Sequence, residues 1–138
     1  MGVGVIARDY SGHVKAALCS TLPFVSDPIV AESLGARRAL EFGRSLGFPS
    51  IVLEGDAKGV ILGLGSSEDR GGSHEGVIKE CRMLLKSFCS WSINHVRREG
   101  NMAAHQLAKL AIFKFGHHVW IDMCPKEIWY TICNDVCL

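Results

Sequence analysis

The stretch IVLEGDAKGV, residues 51–60, decides how this chain folds. Ile51, Val52 and Leu53 form a short apolar run with β-branched members, the pattern of a buried strand. Glu54, Gly55 and Asp56 follow, and then come small and apolar residues at helical spacing. A strand that passes directly into a helix is a building unit of layered α/β folds. It also delivers a carboxylate at the carboxyl end of a strand, where sites form in open sheets. Two readings of Asp56 compete. It caps the helix that follows, or it binds a hard cation through oxygen.

Toward the N-terminus, residues 29–46 read as a helix. Ala31, Gly35, Ala39, Phe42 and Leu46 recur on one face. That face starts with small residues, so the helix is expected to lie close to a sheet. At roughly 100° per residue, Glu32 falls about 60° from the centre of the face. It is therefore expected at the edge of a packed surface. Arg37, Glu41 and Arg44 take the opposite side. Gly47 and Pro49 stop the helix. Further back, residues 3–8 and 13–20 are apolar runs joined by Asp9, Ser11 and Gly12, which reads as an antiparallel hairpin.

Toward the C-terminus, residues 57–64 read as a short helix and 65–73, GSSEDRGGS, as a loop. Ser73 is a candidate cap for a helix carrying Val77, Ile78, Cys81, Leu84, Leu85 and Phe88. Residues 91–96, WSINHV, alternate as a strand does. RREGN turns the chain, and Asn101 reads as the cap of a helix over about 102–115. The tail, 117–138, is expected to pack a short helix on the body as a C-terminal extension of a single domain, 1–138. The order β-β-α-β-α-α-β-α predicts an α/β fold, a mixed sheet with helices on its faces.

Composition narrows the function classes. A length of 138 residues suits one domain with one core. At 48% hydrophobic and 21% charged, the chain has the make-up of a globular protein. Its net charge of +1 supplies no global field that would hold nucleic acid or an anionic membrane, so any such contact depends on a local patch. No apolar run approaches the ~18 residues of a membrane span. MGVGVIARDY is too short and mixed for a secretory signal, and Ile6 breaks the myristoylation pattern. An intracellular location is the expectation. Six cysteines contain no CxxC pair. Cys81 and Cys89 read as small core residues. His117, His118, Cys124, Cys133 and Cys137 match no zinc spacing.

Four segments in order, GVGVIARDYSGHVKAA (2–17), VAES (30–33), LEGDAKGVI (53–61) and HVRREGNMAAHQLAKLA (95–111), resemble the ribonuclease H fold. More narrowly, they resemble the type-1 RNase H-like domain of plant genomes, related to retroelement reverse transcriptases. The closing VWIDMCPKEIWYTICND (119–135) is similar to the tail of that plant group. The resemblance implies hydrolysis of the RNA strand of an RNA/DNA hybrid, with two Mg²⁺ ions held by four carboxylates. By this resemblance Glu32 is the helix carboxylate and Asp56 the strand-end carboxylate, both metal ligands. His105 takes the last-helix position, where it binds phosphate or moves a proton more readily than it binds Mg²⁺. Arg97, Arg98 and Asn101 lie where a hybrid's backbone would pass. No membrane and no small-molecule cofactor is implied.

One element of the family pattern has no counterpart. The family's first strand, which is central and carries a carboxylate, precedes the segment at which this sequence opens. Asp9 lies at the far turn of the hairpin and does not replace it. The expectation is a truncated form with two open strand edges. Two carboxylates offset only about half the charge of two Mg²⁺ ions, so impaired catalysis is expected. The alternatives are an inactive nucleic-acid or protein interaction module and a retroelement remnant.

Overall fold

The computed structural model describes residues 1–66 and 71–136. Its elements are β1 (Gly2–Arg8), β2 (Val14–Thr21), α1 (Pro28–Ser45), β3 (Ser50–Gly55), α2 (Lys58–Gly65), α3 (Glu75–Lys86), β4 (Ser90–His95), α4 (Met102–Phe113), β5 (His117–Ile121) and α5 (Trp129–Val136). Short 3₁₀ turns precede α4, at Arg98–Asn101, and α5, at Lys126–Ile128. This is the expected mixed α/β architecture, with an antiparallel hairpin, a parallel pair and, among the described residues, five α-helices. The chain divides into two compact units: Met1–Phe24 with Met102–Leu138, and Val25–Asn101.

In the first unit, β1 and β2 form the predicted hairpin. Asp9 holds its turn by accepting from the Ser11 and His13 amides at 2.9 and 3.0 Å, and Gly12 supplies the left-handed residue, φ 87°. Strand β5 pairs antiparallel with the other side of β2, giving the order β1-β2-β5. It was not expected, because HHVWI is short and its histidines blur the alternation. Helix α4 covers one face of this sheet. Ala17, Cys19, Leu107, Ala111, Cys124 and Ile128 form the core there. Gly2 and Gly4 let the β1 backbone press against the α4 backbone.

In the second unit, β3 and β4 run parallel, from Ser50↔Ser90 to Gly55↔His95. One face of this pair, through Ile51, Leu53 and Ile93, packs on a core of Leu40, Val60, Leu64, Ile78, Cys81, Leu85 and Phe88 from the helices. Asp27 caps α1 by accepting from the Ile29 amide at 3.0 Å, with Pro28 opening the helix. The inward line of α1 runs through Ile29, Ser33, Ala36, Leu40 and Gly43, about half a turn from part of the expected face. A Cβ on Gly35 would meet nothing within 4 Å, so close sheet contact at that residue is not realised. Ser73 is not the cap of α3, whose N-cap is His74. Its hydroxyl donates to Asp27 Oδ2 at 3.0 Å instead. Cys81 is buried as expected, whereas Cys89 lies beyond α3 and is exposed.

Among the described residues, β1 pairs only with β2 and β3 only with β4. No helix there is long and apolar enough to cross a membrane. The loop expected at 65–73 begins after α2 ends at Gly65, and its residues 67–70, like Cys137, lie outside the described residues.

Candidate functional site

The alternation of β3 sends Ile51 and Leu53 toward the helices and leaves Val52 and Glu54 exposed. At Asp56 the chain leaves the strand in a bend, and the residue is half-buried. The N-cap of α2 is Ala57, one residue later, and Ala57 makes no side-chain cap bond. The Ala57 carbonyl instead takes the Val60 and Ile61 amides, each at 3.1 Å. Asp56 is therefore not the N-cap residue but the one before it.

Glu32 sits in the second turn of α1 and is exposed, not at the edge of the packed face. Next to it, Ser33 is buried and donates its hydroxyl to the Ile29 carbonyl at 2.7 Å. The first turns of α1 and α2 meet, since a Cβ on Gly59 would stand 3.5 Å from Ile29 Cδ1. Glu32 lies three residues after Ile29, and Asp56 three residues before Gly59.

The carboxyl end of β4 lies beside that of β3. Val96 N–H donates to the Gly55 carbonyl at 2.9 Å, and His95 Nε2 is 3.2 Å from the Asp56 carbonyl oxygen. Arg97 follows immediately, then the 3₁₀ turn Arg98–Asn101, closed by Gly100 N–H on the Arg97 carbonyl at 2.9 Å. Arg97 and Arg98 are exposed and Asn101 is half-buried. Asn101 ends the turn that runs straight into α4, instead of standing outside the helix as a cap. The parallel register therefore gathers Asp56, His95 and Arg97 at one sheet end. His105 belongs to the other compact unit, half-buried in α4. None of Glu32, Asp56 and His105 is without a partner.

His95 escaped the sequence reading. In WSINHV it is one polar residue at a strand end, and only the register with β3 puts it beside Asp56. Among the described residues no group of three or more His, Cys, Asp or Glu could hold a metal ion. The two carboxylates the resemblance assigns as metal ligands, Glu32 and Asp56, are hard oxygen donors. That set suits Mg²⁺, which keeps several waters and is commonly held by one or two carboxylates together with substrate phosphates.

A family model described as reverse transcriptase-like matches residues 1–111. Among solved structures, RNase H1 from the halophilic archaeon Halobacterium salinarum NRC-1 is 30% identical, with 82% of this chain and 86% of that one covered and a TM-score of 0.75. The N-terminal RNase H domain of a Mycobacterium tuberculosis protein, solved as a fusion with maltose-binding protein, is 18% identical over 82% of this chain and 92% of that one. Its TM-score of 0.59 marks a likeness of fold. No curated protein matches.

Proposed function

The chain belongs to the reverse transcriptase-like family and has an RNase H-like fold, and on that premise we propose that it engages RNA/DNA hybrids and has inherited Mg²⁺-dependent cleavage of their RNA strand, in impaired form. The observation that supports this most is the position of Asp56. It stands at the carboxyl end of β3, outside the cap of α2, beside the basic segment that follows β4. Asp56 and Glu32 are the proposed Mg²⁺ ligands. Bound there, the ion would supply Lewis-acid polarisation of a phosphoryl oxygen and a more acidic bound water. Arg97 and Arg98 would pair with backbone phosphates, and Asn101 would add a hydrogen bond. His105 is proposed to contact phosphate or carry a proton. The family model spans residues 1–111 and so draws on both compact units, which supports reading them as parts of one domain. The finer placement in the plant-type group rests on the tail motif of residues 119–135.

The test is a hybrid-cleavage assay with Mg²⁺, comparing the chain with Asp56→Asn and Glu32→Gln. A loss of tenfold or more, about 1.4 kcal/mol of transition-state stabilisation, is expected in each. Equal rates in the chain and Asp56→Asn remove Asp56 from the mechanism. A second reading, a module that binds the hybrid without cutting it, is favoured by the small donor set. Binding with no cleavage in the parent chain would select it.

A further inference from the structure

We propose that His95 is a positioning residue for Asp56, fixing the direction in which its carboxylate leaves the main chain. This rests on the reading of Asp56 as a Mg²⁺ ligand given above. Two peptide groups flank the Asp56 Cα. The first carries the Gly55 carbonyl and the second the Asp56 carbonyl. Each peptide group is a rigid plane, so only two dihedrals at Asp56 remain soft. The end of β4 holds both planes. Val96 N–H donates to the Gly55 carbonyl at 2.9 Å, and the His95 imidazole reaches the Asp56 carbonyl at 3.2 Å.

The carbonyl is only an acceptor, so His95 donates and the proton sits on Nε2. With both planes held, φ and ψ of Asp56 are set, and with them the Cα–Cβ vector. The N-cap of α2, Ala57, adds no side-chain cap bond of its own. The Val96 contact only continues the strand ladder beyond the last register pair, Gly55↔His95. The imidazole contact is the added one, made by a side chain that is exposed and serves no core.

The experiment titrates the full chain with Mg²⁺ alone. It follows the backbone amide shifts of Gly55–Ala57 and the heat of binding, and records a thermal melt of every variant. The variants are His95→Ala, His95→Gln, whose side-chain amide can donate in the same direction, and Asp56→Asn. His95→Ala is expected to weaken Mg²⁺ binding roughly tenfold, the low end for a group that orients a ligand. Its melting temperature is expected within about 2 °C of the parent, as for an exposed side chain. His95→Gln is expected to recover binding to within about twofold, since the donor is restored. The proposal is overturned if His95→Ala binds as the parent does, or if His95→Gln binds as weakly as His95→Ala. Failure of the ligand reading has a different signature, identical titrations for the parent and Asp56→Asn, and it overturns both.

Discussion

Replacing Gly4 by alanine tests the packing of β1 on α4. A Cβ there would stand 2.5 Å from the Ala108 amide nitrogen and 2.6 Å from Leu107 Cβ, and closer still to the Ala104 carbonyl oxygen. Carbon atoms in contact rest about 3.5–4.0 Å apart, so the overlap is about 1 Å. Two of the three neighbours are backbone atoms and cannot rotate away. Overpacking costs about 1–3 kcal/mol, and a rigid backbone on the receiving side argues for the upper end. Stiffening of the unfolded chain returns about 0.4–1 kcal/mol. The net loss is about 2 kcal/mol, or roughly 8 °C in melting temperature at this chain length. Thermal melts followed by circular dichroism, with urea midpoints alongside, measure it. Gly35→Ala is the internal control. It adds the same methyl group inside α1, where no atom lies within 4 Å, and is expected to stabilise by up to about 1 kcal/mol. A Gly4→Ala protein that melts at or above the parent, or a Gly35→Ala protein that melts well below it, would refute the packing reasoning.

Three further outcomes are expected. Asp27→Ala removes both the cap bond to the Ile29 amide and the acceptor of the Ser73 hydroxyl, and should cost about 1 kcal/mol by urea denaturation. Leu107→Ala empties a site with no solvent exposure between α4 and β2, and should cost about 2–5 kcal/mol in the same assay. Burial pushes the Cys81 thiol up to about 12 from an ordinary 9.0, with the Arg37 charge pulling it back only in part. The folded state keeps a proton that the unfolded chain sheds, so this contribution is full below 9.0 and is lost as pH rises toward about 12. Melts recorded across the alkaline range should fall with pH, and Cys81→Ala should flatten that limb. Thiol labelling of the native protein should reach Cys89 and Cys133 while Cys81 stays protected.

Several elements stood in the sequence nearly as they stand in the fold. The two N-terminal strands, β3, α1 and α4 come within a few residues of expectation, because their patterns of two and of 3.6 residues are strong and Gly or Pro punctuates their ends. The buried face of α1 was harder to read. Ala31, Gly35 and Ala39 offer an apolar line that competes with Ile29, Ala36 and Leu40, and Ser33 looks outward until its hydroxyl is seen to close on the Ile29 carbonyl. Glu32, expected at the edge of a packed surface, is exposed. Ser73 had the composition of a cap, but the residue it bonds, Asp27, is 46 positions away.

The candidate site divides along the same line. The local pattern showed Asp56 at a strand end, while Glu32 and the Arg97–Asn101 segment entered as site residues through the resemblance to the RNase H-like family, carried by motifs of near neighbours in the chain. The parallel pairing of β3 with β4 was settled by packing, since Ile51, Leu53 and Ile93 must share one side of the pair to bury themselves on the same helices. That register, which no local pattern encodes, sets His95 against the carbonyl of Asp56, 39 positions earlier, and turns a polar residue at a strand end into a part of the site.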